Sequence, residues 1–296
     1  MKKKMICVIS LMMAILAVYA LTGCSSGSSL ENIQKEDNKV KCTYEEVKHE
    51  FKVYLPEVSK NAPLVLILHG AGGSAESFRD MIEFEKDALP MGYGVCYVTG
   101  SVNVKCGRNG CSWNYGRISG DYDDVGFIKA VVDYLVDEYS FDEDRVYCAG
   151  FSNGGFMNHR LALEAQDTFK ACVSVAGALC GPEWKNRPEK NNVGFLQVTG
   201  EKDEAVPKNL DETAKYSIDP AIEDVIDYYV SSNSLEKQSE EEIGKGSLLT
   251  KYGKDGDPDS VWTLLVKGGK HGWPDESGDG INTNKLILEF YESRNK

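Results

Sequence analysis

The chain has 296 residues, 42% of them hydrophobic, with 46 acidic against 33 basic side chains and a formal net charge of −13 at pH 7. That much apolar material can fill the core of one α/β domain of more than two hundred residues. The acidic balance argues against nucleic acid or an anionic lipid surface as a partner.

The chain opens on Met1-Lys2-Lys3-Lys4 and an apolar run from Met5 to Leu21 that is short for a membrane span. A basic start, an apolar stretch and small residues predict a signal peptide over 1–23. The closing "LTGC" resembles the lipobox of bacterial lipoproteins. That resemblance implies a diacylglyceryl group on Cys24, a cell-surface location, and contact with the membrane only through this lipid. The polar, Gly/Ser-rich stretch that follows predicts a flexible tether over 24–40, leaving 41–296 as the folded domain. Cys96, Cys148 and Cys172 lie in apolar runs and are expected as buried small hydrophobes. Cys42, Cys106, Cys111 and Cys180 look loop-placed, with Cys106–Cys111 the favoured pair if an oxidising compartment joins them.

After the segment 44–56, which can supply antiparallel strands at one sheet edge, six short apolar runs follow: 64–70, 94–100, 145–150, 171–177, 194–200 and 262–269. Their hydrophobicity is continuous rather than alternating, as expected of strands covered on both faces. Helical spacing fills the gaps at 124–139, 154–166, 220–233 and 282–293, the first capped by Asp123 or Asp124. Strands alternating with helices predict an α/β fold, a doubly wound and mostly parallel sheet. In such sheets reactive groups sit beyond the carboxyl ends of the strands.

At one of those ends the chain reads Gly150-Phe151-Ser152-Asn153-Gly154, between the strand "RVYCAG" and a helix. Two glycines flanking a serine on a strand-to-helix turn let the hydroxyl project upward as a nucleophile, whereas a plain turn would use it as a helix cap. A serine nucleophile needs a base, and there are four histidines. His49 lies in an edge-strand run and is expected to be exposed. His159 sits two turns into the helix after Ser152 and reads as a surface or packing residue. His69 ends the first strong strand. His271, in the glycine-rich loop "KGGKHGWP", is C-terminal to Ser152 with room for an acid between, and is the expected base. The acid is sought in "GEKDEAVP". Asp203 is preferred over Glu201 and Glu204, to orient the imidazole and stabilise it when charged. The oxyanion donors are expected at the amides of Asn153 and of Ala71 or Gly70 in "HGAGGS", with His69 holding that loop.

The segments "LILHGAGGS", "WNYGRISGDYDDVGFI", "GFSNGGFMNHRLALE", "FKACVSVAGAL", "GEKDEAVP" and "GGKHGWP" resemble, in order, the polyhydroxybutyrate depolymerase and feruloyl esterase family of secreted α/β-hydrolases. The resemblance runs from about Phe51 to Lys296. It implies an α/β-hydrolase fold with Ser152, Asp203 and His271 as a triad, no metal and no cofactor. It departs from the family's frequent "HTWP" at Gly272. Small-molecule or oligosaccharide esters are the implied substrates. No binding module follows residue 296, which favours feruloyl or acetyl-xylan esters, with polyhydroxyalkanoate hydrolysis next. A serine peptidase and a non-catalytic binding lipoprotein are the competing classes. Trp113 and Trp273 are candidate walls of the substrate site, with core or rim packing as the alternative for each. The stretches 180–193 and 206–219 are long enough to form a lid.

Overall fold

The computed structural model describes residues 29–101, 111–117, 122–213, 215, 218–254 and 257–295. The expected signal peptide, Cys24 and Cys106 lie outside the described residues. In chain order the elements are β1 (Glu31–Glu36), β2 (Lys39–Tyr44), β3 (Val47–Tyr54), β4 (Leu64–Leu68), α1 (Ala75–Ile82), α2 (Glu85–Ala88), β5 (Gly94–Val98), α3 (Asp124–Tyr139), β6 (Val146–Phe151), α4 (Asn153–Glu164), β7 (Ala171–Val175), α5 (Gly181–Lys185), β8 (Gly194–Gly200), α6 (Ile222–Ser232), β9 (Glu236–Ile243), β10 (Ser247–Lys254), β11 (Asp257–Val266) and α7 (Thr283–Ser293).

Among the described residues the strands form one sheet of eleven, in the order β1-β2-β3-β5-β4-β6-β7-β8-β11-β10-β9. The middle, from β5 to β11, is parallel, and both ends are antiparallel. This is the α/β-hydrolase architecture. Strand alternation explains why the central runs are apolar throughout. Leu64, Leu66 and Leu68 of β4 face one core, under α3, α4 and α6, while Val65 and Ile67 face a second, under α1 and α7. Helix α3 begins where expected, with the Asp123 carboxylate accepting from Gly126 N at 2.9 Å.

Three expectations need correction. Residues 31–36, read as tether, form a strand: all six side chains are exposed, so backbone pairing to β2 holds it and no apolar pattern announces it. Cys42, read as a loop cysteine, lies in β2; Cys180 is loop-placed as expected, and both are buried free thiols. Cys42 shares the inward face of β2 with Val40 and Tyr44, and burial pushes its thiol up to about 12. His49 is buried (7% exposed), because β3 is flanked by β2 and β5, and its ring stacks on Phe127 at 3.7 Å. For His159 the packing alternative holds: it is buried against Phe195 and Tyr229 with Nε2 3.0 Å from Gln197 Oε1.

Candidate active site

Phe151 ends β6 and Asn153 begins α4, so Ser152 alone makes the turn. Its backbone lies at φ 53° and ψ −114°, outside the regions a β-carbon allows comfortably. Such a conformation costs on the order of 1–3 kcal/mol and persists only where the surroundings over-determine it. Here Ser152 N donates to Val175 O at 2.8 Å, and Ser152 O accepts from Phe156 N at 2.9 Å. The flanking glycines are sterically required. A β-carbon on Gly150 would lie 2.4 Å from Gly154 O, and one on Gly154 would lie 2.3 Å from Leu68 O. The Ser152 hydroxyl does not cap α4. It is directed instead to His271 Nε2, at 2.9 Å.

His271 follows β11 in a loop stitched to the one after β8. Glu201 N donates to Val266 O at 3.0 Å, Lys202 N to Gly269 O at 2.8 Å, and Gly268 N to a Glu201 carboxylate oxygen at 2.7 Å. Glu201, one of the alternative acids, is thereby occupied with holding the histidine loop, and Glu204 is exposed. Asp203 is buried (5% exposed) and meets His271 Nδ1 through Oδ2 at 2.8 Å. Its other oxygen accepts the Ala205 and Val206 amides at 2.9 and 2.8 Å. With the proton on Nδ1, donated to Asp203, Nε2 is left to accept from the Ser152 hydroxyl. That is the tautomer general-base chemistry requires.

Two amides are expected as oxyanion donors. Asn153 N is the first of α4, where backbone donors have no intrahelical acceptor and the helix dipole favours negative charge. Ala71 N lies in the loop after β4. Neither amide donates to an acceptor among the described residues. The loop approaches closely, since a β-carbon on Gly70 would lie 3.4 Å from Ser152 Cβ. His69 anchors it: Nε2 accepts from Gly100 N at 3.0 Å, so Nδ1 carries the proton and donates to Gly70 O at 2.7 Å. Burial lowers the His69 imidazole to about 4, keeping it neutral.

The two tryptophans part company. Trp113, a candidate substrate wall, is fully buried. Its indole N–H donates to His69 O at 3.0 Å and its amide to Asn153 Oδ1 at 2.7 Å. The packing alternative holds, because a ring this large finds both an apolar bed and a carbonyl partner inside. Trp273 is half-buried beside His271. Its edge meets Phe78 at 5.6 Å and its N–H reaches Asn284 Oδ1 at 3.1 Å. Phe151, given no role in the sequence reading, sits 5.1 Å from the His271 ring, so Phe78, Phe151 and Trp273 make an aromatic flank to His271. Of the stretches read as lid-forming, residues 214, 216 and 217 lie outside the described residues; Asp219 accepts from Gly181 N at 2.7 Å and pairs with Arg117. Among the described residues no group of three or more His, Cys, Asp or Glu is arranged to hold a metal ion.

Comparison with known proteins agrees with this fold. The model of the prolyl oligopeptidase family matches residues 92–184. Over 241 residues the chain is 30% identical to "Putative esterase NocK" of Nocardia uniformis subsp. tsuyamanensis, covering 74% of this chain and 67% of that one. It is 30% identical over 132 residues to "Feruloyl esterase B" of Thermothelomyces thermophilus, covering 44% of each. It is 32% identical over 142 residues to "Acetylxylan esterase" of Coprinopsis cinerea, 46% of this chain and 37% of that. These two matches span less than half the length of the relatives. Among solved structures, an acetyl xylan esterase from Aspergillus awamori superposes with a TM-score of 0.59 at 15% identity, over 83% of this chain and 94% of that, a likeness of fold. On the extent of its match to NocK, the chain belongs to this esterase family of the α/β-hydrolases.

Proposed function

We propose that the protein is a serine carboxylic-ester hydrolase acting on plant-polysaccharide esters of the feruloyl or acetyl-xylan type. One observation carries the chemistry: the hydrogen-bonded line Ser152 Oγ–His271 Nε2, His271 Nδ1–Asp203 Oδ2, at 2.9 and 2.8 Å, on a turn whose serine hydroxyl does not cap the helix that follows. In this reading Ser152 Oγ attacks the ester carbonyl while its proton passes to His271. The developing oxyanion is met by the Asn153 and Ala71 amides. His271 then hands the proton to the departing alkoxide, breaking the ester bond and leaving an acyl-enzyme. Water attacks that ester with His271 again taking the proton, and the carboxylic acid leaves. Asp203 stabilises the imidazolium in both halves.

The polysaccharide substrate class rests on the feruloyl and acetylxylan esterase relatives and on the aromatic flank of Phe151 and Trp273 beside the base. It is tested with methyl ferulate, acetylated xylan and hydroxybutyrate oligomers, read as released acid. Preference for hydroxybutyrate oligomers would move the assignment to polyhydroxyalkanoate hydrolysis. The prolyl oligopeptidase match favours a second reading, a peptidase, which peptide anilide substrates would reveal. Ser152→Ala is expected to lower ester turnover by a factor on the order of 10³ or more. Unchanged turnover in that variant overturns the enzymatic assignment. Export with a lipid on Cys24 belongs to the same proposal. Cys24→Ser is expected to move the protein out of the membrane fraction, and the mass of the mature N-terminus checks the modification.

A further inference from the structure

Two donors that must meet one oxygen come from unconnected elements, Asn153 from the start of α4 and Ala71 from the loop after β4. Their spacing is therefore a tertiary property. One residue reaches both. Trp113 donates its amide to the Asn153 side chain and accepts from Asn153 Nδ2 at 3.3 Å, and its indole N–H holds the carbonyl of His69, two residues before Ala71. The strap Cys111–Asn114 that carries Trp113 also accepts from Gly72 N, through Cys111 O at 2.8 Å. A strap of four loop residues is only as firm as its own attachment.

That attachment is Asp124, fully buried in the first turn of α3. One of its oxygens accepts from Asn114 N at 2.6 Å, the residue next to Trp113. The other accepts from the Ser101 hydroxyl, and Ser101 is itself bridged to Ser112 of the strap. Arg160 of α4 braces the same point from outside, donating to Asn114 O at 2.6 Å. A fully buried carboxylate is expensive to keep, and burial pushes this one up to about 6. The fold spends it on one short loop rather than on an ion pair of its own.

Resting on the esterase reading above, we propose that Asp124 is a positioning residue for ester hydrolysis. Its carboxylate fixes the Cys111–Asn114 strap, and through Trp113 that strap holds the Ala71 and Asn153 amides at the spacing an oxyanion needs. Asp124 touches no substrate.

The test compares Asp124→Ala, Asp124→Asn and Trp113→Phe with the wild-type protein, using p-nitrophenyl acetate as substrate and an aryl boronic acid as a tetrahedral mimic. Misplaced donors weaken the transition state more than the bound ester. In Asp124→Ala, kcat is expected to fall by on the order of 10–100-fold, with KM within about threefold and boronate affinity falling in step with kcat. Asparagine can offer one acceptor to Asn114 and a donor to the Ser101 oxygen, so Asp124→Asn is expected to recover kcat to within about threefold of wild type. Trp113→Phe keeps an aromatic ring but loses the indole N–H that bonds His69 O, and is expected to lower kcat about tenfold by the same route. Wild-type kcat in both Asp124→Ala and Trp113→Phe overturns the inference. So does a fall in kcat and KM that follows lost melting temperature and is not rescued by asparagine. If Asp124→Ala does not fold, Trp113→Phe decides alone. A wild-type protein inert toward every ester sinks the esterase reading itself, an outcome distinct from an active enzyme indifferent to these substitutions.

Discussion

Ser152 and Gly154 show how far one residue's geometry constrains its neighbours. The serine's positive φ is tolerable because α4 presses against the loop after β4, and it can do so only with no β-carbon at position 154. Gly154→Ala would place a methyl group 2.3 Å from Leu68 O and 2.7 Å from His69 O, backbone atoms that cannot swing away. It is expected to destabilise the fold by at least about 2 kcal/mol, measured by urea unfolding, and to lower ester turnover by moving α4 off the loop after β4. Gly272, beside His271, has open space where a β-carbon would go. Gly272→Ala is expected to stay within about 0.5 kcal/mol of wild type in the same measurement.

At the scale of elements, three loops over the carboxyl ends of the strands are tied to one another. The Arg117 guanidinium, from the segment after Trp113, pairs with Asp219, whose side chain is fully buried and also takes the Gly181 amide at the start of α5. Removing one member of such a pair leaves the other uncompensated in a low dielectric. Arg117→Ala is expected to cost about 3 kcal/mol in chemical denaturation and to make 180–219 a preferred site of limited proteolysis. The double variant with Asp219→Ala is expected to lose less than the sum of the singles, because both charges are then gone. At the sheet's far edge, β9 exposes Glu236, Lys237, Glu240, Glu241 and Glu242. Charges along an unpaired edge discourage strand addition by a second molecule.

Among the described residues, four buried groups bear on stability between about pH 4 and 6.5. Burial lowers the imidazoles of His49 and His69 to about 4 and that of His159 to about 3, against an ordinary 6.5. Between about pH 4 and 6.5 the unfolded chain therefore binds more protons than the native state at these sites. Their contribution to stability is present above 6.5 and is lost as pH falls. By pH 5 each removes about 2 kcal/mol. Asp124 has the opposite sign. Its carboxyl is raised from 3.8 to about 6, so the native state binds more protons in that window, and stability from this group falls as pH rises through it. Three histidines outweigh one aspartate, and the urea midpoint is expected to be lower at pH 5 than at pH 7. The melting-temperature gain of Asp124→Asn over wild type is expected to be larger at pH 7 than at pH 5, which calorimetry at the two pH values reads directly.

By itself the sequence determined the central sheet and the order of the candidate triad. Buried strands such as "LVLIL" are apolar at every position because both faces are covered, and Ser152, Asp203 and His271 each follow a strand of that kind. Those signals are local, so they are legible in one dimension. The outer strands β1, β9 and β10 were not, because β1 and β9 bury almost nothing and exist through backbone pairing alone. Only the tertiary structure decided among Asp203, Glu201 and Glu204, through which carboxylate reaches His271 and which is occupied with Gly268. It also settled Trp113, a candidate substrate wall with packing as the alternative, in the interior, and gave Asp124, one of two candidate helix caps in the sequence, a different partner in Asn114. The physical reason is common to these cases: a carboxylate or an indole is specified by what it bonds, and here the partners come from elements far apart in the chain.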